Sequence, residues 1–180
     1  MKAYKYLTCL ALAVTSLSAC TDLDENLYSE IGSNNYFNTR DDVIAMAFRS
    51  FEHGYWTIVP RFRINELPAD QLIIPRRDGS WDDGGVWRQF HYHTWTPDIS
   101  RHVHDEWDSQ FAGIAQANFA IDRFNELDPK KFDFQEDEWN ALKMQNRVLR
   151  CWYYLRLLDA FRNVPFCISY DDPPQNTPSQ

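Results

Sequence analysis

The chain has 180 residues, 18 basic against 26 acidic side chains for a formal net charge of −8, and is 44% hydrophobic and 16% aromatic. That length suits one domain at most, and 28 aromatic residues (7 Trp, 9 Tyr, 12 Phe) against six Gly exclude a disordered or low-complexity chain. The acidic balance, with no Lys/Arg cluster able to displace counterions from phosphates, argues against nucleic acid as a partner.

The N-terminus reads as an export signal. Lys2 and Lys5 precede an apolar run from Leu7 to Val14, and no acid occurs before Asp22, which marks residues 1–19 as a secretory signal peptide. The run falls short of the roughly 20 residues that a bilayer span requires, as does every later segment. Cys20 directly follows Leu17-Ser18-Ala19, which resembles the lipobox at which bacterial lipoprotein signals are cut and the new N-terminal cysteine is acylated. Cys20 is therefore the expected lipidation site, and several acyl chains hold a protein stably at a membrane. The following Thr21-Asp22-Leu23-Asp24-Glu25 resembles the surface-export signal of Bacteroidota lipoproteins. Cleavage removes Lys2 and Lys5 and no acid, which takes the net charge from −8 to −10. Residues 20–38 are polar and read as a lipidated tether. The fold is expected over 39–180.

Thr39 and Asp42 make an N-terminal capping pair, and Val43, Ala47, Phe51 and Tyr55 recur every four residues, predicting a helix to about Trp56. From Pro60 to Pro97, the prolines Pro60, Pro68 and Pro75, Gly79 and the Gly84-Gly85 pair interrupt any helix and predict a long loop with short extended pieces such as Gln71 to Ile74. Loops of that length tend to carry function. Ser100 is a candidate cap for a second helix through Val103, Trp107, Phe111, Ile114, Asn118, Ile121 and Phe124, ending at Asp128-Pro129. Asp133 and Glu136 offer a capping pair for a last helix from Trp139 to Arg162. That helix is apolar almost all round, from Val148 to Phe161, and so predicts burial on more than one side. Cys151 and Cys167 lie in apolar surroundings and read as buried free thiols rather than a bridge.

Two helices with a short connection form an antiparallel hairpin, and such hairpins stack into helical-repeat arrays. An array needs about three hairpins to bury a continuous core, against about one and a half in this sequence. The expectation is the N-terminal part of a longer protein.

The loop residues 70–98 carry Trp81, Trp87, Phe90, Tyr92 and Trp95 with Arg76, Arg77, Asp78, Asp82 and Asp83 between them. Aromatic faces with interspersed hydrogen-bonding groups suit a sugar, which presents an apolar C–H face and a rim of hydroxyls. Asp70, Arg76, Arg77, Trp81, Trp87 and Trp95 are the candidate ligand-binding residues. His91/His93 and His102/His104 are two His-x-His pairs, for which loop packing is favoured over a metal. Asp70, Asp78, Asp82, Asp83 and Asp105 could supply a carboxylate pair for glycoside hydrolysis, but 26 acids make such pairs inevitable. No Gly-x-Ser-x-Gly, phosphate loop or catalytic Cys-His pattern occurs.

The lipobox with its acidic follow-on, Asp70-Gln71-Leu72-Ile73-Ile74-Pro75-Arg76-Arg77-Asp78, Trp81-Asp82-Asp83-Gly84-Gly85-Val86-Trp87, His93-Thr94-Trp95-Thr96-Pro97-Asp98, Trp107 with Ile114-Ala115-Gln116-Ala117-Asn118, and Arg147 to Leu155 closing at Asn163-Val164-Pro165 occur in this order. Together they resemble the SusD/RagB family of outer-membrane nutrient-binding lipoproteins of Bacteroidota. Arg150-Cys151-Trp152 stands where that family usually reads Arg-Ala-Tyr, and family members are typically about three times longer. The resemblance implies a mainly α fold of tetratricopeptide-like hairpins with a long loop-rich insertion. It also implies a lipid-anchored protein facing the cell exterior, without enzymatic activity or cofactor, that binds a glycan and delivers it to a TonB-dependent SusC-like transporter. A peptide ligand, and more remotely a fragment of a secreted glycoside hydrolase, are the alternatives.

Overall fold

A computed structural model describes residues 36–96 and 101–172. The expected signal peptide, Cys20, the expected tether as far as residue 35, Ser100 as a helix cap, and the polar end from Pro173 lie outside the described residues. The described residues are mainly helical, 68% of them in helices, with no strand among them.

Helix α1 spans Arg40–Trp56. Thr39 is its N-cap, with Thr39 Oγ1 accepting from the Asp42 N–H at 3.2 Å and Asp42 Oδ2 accepting from the Thr39 N–H at 2.8 Å. These bonds hold the Asp42 carboxyl below its ordinary range, led by the Thr39 side chain. The buried stripe of α1 is Val43, Met46, Ala47 and Ser50, whereas Phe51 and Tyr55 are 64% and 71% exposed. A strict four-residue repeat overshoots the helical turn of about 3.6 residues, so by Phe51 the stripe has rotated off the core.

The described part of the expected loop, from Pro60 to Thr96, is not one loop. Helix α2 spans Ile58–Glu66 and helix α3 spans Val86–His91, preceded by a 3₁₀ turn over Asp83–Gly85. Pro60 is the third residue of α2, in the first turn, where no intrahelical bond needs its missing N–H. Thr57 is both the C-cap of α1 and the N-cap of α2, making a tight elbow.

Helix α4 spans Arg101–Glu126 and helix α5 spans Glu136–Phe161. Their ring pairs run in opposite directions along the chain, Phe124 on Trp139 at 4.7 Å and Trp107 on Phe161 at 5.0 Å, so the two form an antiparallel hairpin. The connection contains a 3₁₀ turn, Pro129–Phe132, capped by Asp128. Asp133, at φ 55°, ends that turn in the left-handed region instead of capping α5, whose N-cap is Gln135 without a side-chain bond. At Gly113 the two helices touch so closely that a Cβ would lie 2.3 Å from the Tyr153 ring. Glycine is required by the approach itself.

Helix α1 packs on this hairpin. Ser50 Oγ donates to Asn146 Oδ1 at 2.6 Å, Asn146 Nδ2 to the Ala47 carbonyl at 3.2 Å, and Tyr153 Oη to the Ser50 carbonyl at 2.5 Å. Burial pushes the phenols of Tyr153 and Tyr154 up to about 12. One core cluster joins Val43, Met46, Phe124, Phe132, Phe134 and Trp139, and a second joins Phe111, Ile114, Tyr153, Tyr154, Leu157 and Val164. After α5 the chain turns back, fixed where Tyr154 Oη accepts from the Cys167 N–H at 2.6 Å and donates to the Cys167 carbonyl at 2.9 Å.

Among the described residues, helix α5 is covered on one side only. Met144, Val148, Trp152, Leu155 and Leu158 are exposed, and the thiol-bearing Cys151 shares that side. Of the two cysteines among the described residues only Cys167 is buried, because position 151 falls on the outward stripe with Val148 and Leu155.

Candidate ligand-binding surface

The chain between α2 and α4 is organised by a small core of its own. Leu67, Val86, Trp87 and Phe90 are buried together, with Ile64, Leu72, Ile74, Trp95 and Val103 packed around them. Val86 and Phe90 stand four apart on α3, which turns one face of that short helix inward. Trp87 is 8% exposed: its Nε1 donates to Asp83 Oδ2 at 2.6 Å, and its ring stacks on His102 with centroids 4.6 Å apart. Burial, and then the neighbouring Arg63, pull the His102 pKa below the ordinary histidine value, so the stacked imidazole is neutral at physiological pH. Trp95 lies 5.5 Å from Phe90 in the same cluster. Trp87 and Trp95 thus give their faces to the protein rather than to solvent.

The tip is different. Arg77 and Ser80 exchange backbone bonds of 3.0 and 2.7 Å across Asp78 and Gly79, at φ 47° and 82°. This is the geometry of the Asp-Gly turns that close two-residue hairpins. Trp81 follows at φ 65° and is 64% exposed. A bulky residue in the left-handed region costs about 1–2 kcal/mol, and an exposed indole recovers nothing for the fold. Arg76, Arg77 and Asp78 are exposed and make no side-chain bond to any described residue. Asp70, at φ 57°, is exposed and sits 3.2 Å from His91 Nδ1. His93 binds the Pro68 carbonyl at 2.9 Å, so His91 and His93 have separate partners. Of the six candidates, then, Trp81 with Arg76 and Arg77 forms a solvent-facing tip, Asp70 stands beside α3, and Trp87 and Trp95 build the support. No group of three or more metal-ligating side chains forms among the described residues.

Three concavities lie elsewhere on the described residues, and none of the six lines them. An apolar groove of about 620 Å³ runs between α1 and α5, lined by Phe48, Phe51, Met144 and Val148, and continues past Tyr55, Ile58 and Trp152 through a further 470 Å³. A smaller hollow of about 350 Å³ lies between α4 and the returning chain, by Asn118, Cys167 and Tyr170.

Sequence reasoning passed over a buried polar cluster at the elbow. Glu106 and Gln110 of α4 are wholly buried, with Arg61 of α2 and Arg156 of α5 beside them. Arg156 donates to the Thr57 hydroxyl at 2.9 Å and carbonyl at 3.0 Å. Its signal was present: Glu106 and Gln110 stand in register with Gly113, Ala117, Ala120 and Phe124, the inward stripe of α4.

Compared with known proteins, the chain matches no family model, and no curated protein and no solved structure matches it significantly.

Proposed function

We propose that the chain is a lipid-anchored capture protein of the outer cell surface, tethered through Cys20, which binds oligosaccharide at the tip carrying Trp81. It passes its ligand to a TonB-dependent transporter and catalyses no reaction on it. The observation that carries the binding reading is the exposure of Trp81 in a left-handed conformation beside Arg76 and Arg77, which are exposed and make no side-chain bond among the described residues. None of these features stabilises the fold, and together they offer a stacking face and charged hydrogen-bond donors to a hydroxyl rim. The anchor and the transporter rest on the lipobox around Cys20 and the resemblance to SusD/RagB lipoproteins.

In the same reading the scaffold is a tetratricopeptide-like array. The α4–α5 hairpin and the apolar groove between α1 and α5 support it, since each repeat leaves a face for the next helical hairpin to cover.

Affinity electrophoresis of the chain through gels containing different polysaccharides tests the ligand class. Retardation by at least one glycan, reduced in Trp81→Ala, is the expected result; unretarded migration through the whole panel, or release of reducing ends, would remove the proposal. Replacing Cys20 by Ala is expected to move the protein from the membrane fraction to the soluble one.

A further inference from the structure

Glu106 and Gln110 stand one turn apart on α4, both fully buried. Gln110 Nε2 donates to Glu106 Oε1 at 3.1 Å, while Glu106 Oε2 and Gln110 Oε1 have no hydrogen-bond partner. Buried acceptors left unpaired are costly, and both belong to groups already joined by one hydrogen bond. A single proton could serve both: carried on Glu106 Oε2 and donated to Gln110 Oε1, it would close a cyclic pair of carboxylic acid and amide, in which each group gives and receives one bond.

We infer that Glu106 is carried in the folded protein as a neutral carboxylic acid, ring-bonded to Gln110, and that its ionisation is a pH-sensitive release for the α1–α2 elbow.

The elbow is held by the charged groups that face this pair. From α2, Arg61 bonds to Asp159 and to the Arg156 carbonyl at 3.2 Å, with its guanidinium 3.7 Å from Glu106 Oε1. From α5, Arg156 grips Thr57, and the Tyr153 phenol is engaged at Ser50. From α1, His53 bonds to the Ser109 carbonyl at 2.8 Å; on α4 itself, His102 and Asp105 pair with each other at 3.6 Å. When Glu106 loses its proton to solvent, the new carboxylate competes for Arg61 and Arg156. Arg61 is drawn from Asp159 and Arg156 from Thr57, the contacts that fasten α2, and the tip it carries, to α5.

Burial raises the proton affinity of Glu106, outweighing Arg156, Gln110 and Arg61, which act the other way. A group whose proton affinity is raised by folding stabilises the fold in acid, and that contribution is lost as pH rises through its folded-state value.

The test compares the full chain with Glu106→Gln and Glu106→Ala across acid to alkaline pH. It follows thermal unfolding, amide exchange over residues 57–67, and the infrared carboxyl band. The glutamine keeps the ring without needing a proton. The expected result is a Glu106→Gln melting temperature equal to wild type in acid and a few degrees above it in alkali, with slow, pH-independent exchange at the elbow. Glu106→Ala is expected to melt lower throughout, and a protonated-carboxyl band at neutral pH to be present in wild type and absent from Glu106→Gln. A Glu106→Gln chain destabilised like Glu106→Ala at neutral pH, with no such band in wild type, would overturn the inference and make Glu106 an ionised partner of the two arginines.

Discussion

Trp81 and Trp87 lie six positions apart in one segment and have opposite roles, and their neighbours in sequence explain why. Trp87 has Val86 and Phe90 beside it at helical spacing and Asp83 one turn back to accept its indole N–H. Around Trp81, the residues three and four away are Arg77, Asp78, Gly84 and Gly85, which offer no apolar surface to pack on. That contrast was legible, but treating all the tryptophans of the loop as one class hid it. Two substitutions separate binding from strain. Trp81→Ala is expected to leave the melting temperature within a few degrees of wild type and to weaken glycan affinity about fivefold, the equivalent of one aromatic contact of about 1 kcal/mol. Trp81→Gly, free to adopt φ 65°, is expected to lose binding equally while raising stability by about 1 kcal/mol in denaturant titration. At the other end of the fold, the Asp42 carboxyl, held low by Thr39, contributes stability above its unfolded-state value that is lost as pH falls through the folded one. Thr39→Ala is expected to flatten that acid limb and to cost about 1 kcal/mol near neutrality.

Among the elements, the sequence was most informative where local chemistry decides. Thr39 and Asp42 fix the start of α1, and the inward stripe of α4 from Phe111 to Phe124 follows its periodicity. Helices α2 and α3 were hidden because prolines and glycines read as breakers regardless of position: Pro60 is harmless in a first turn, and Gly85 serves as the left-handed residue just before α3. Asp133 looked like a cap because Glu136 follows it by three, yet the 3₁₀ turn ahead of it needs a left-handed residue to end on. The meeting of α4 and α5 has a sharp requirement. Gly113→Ala would place a methyl group 2.3 Å from the Tyr153 ring, forcing the hairpin apart or Tyr153 from its bond to Ser50. The expected loss is about 1–3 kcal/mol in chemical unfolding, the usual cost of overpacking; an unchanged midpoint would show that the helices can separate freely.

For the molecule as a whole, composition promised more burial than the fold delivers. Phe48, Phe51, Tyr55, Ile58, Met144, Val148, Trp152 and Leu155 form one open apolar tract over α1, α2 and α5. Periodicity showed α5 to be apolar on several sides but could not say which side the rest of the fold would cover. Val148→Asp places a charge on this open tract, so helix content is expected to be unchanged and stability to hold within about 0.5 kcal/mol while binding of an apolar dye falls. The support for the proposed ligand site is independent of that tract, since Leu67, Val86, Trp87 and Phe90 pack at the far end of α2. The central claim is that this support displays Trp81 to capture a sugar without transforming it. Titration calorimetry of wild type and Trp81→Ala with the most strongly retained oligosaccharide, followed by assay of the same cell for new reducing ends, tests it most directly. Saturable heat in wild type, about fivefold weaker affinity in the variant and an intact oligosaccharide are predicted; equal affinity in the two proteins, or a cleaved ligand, would contradict it.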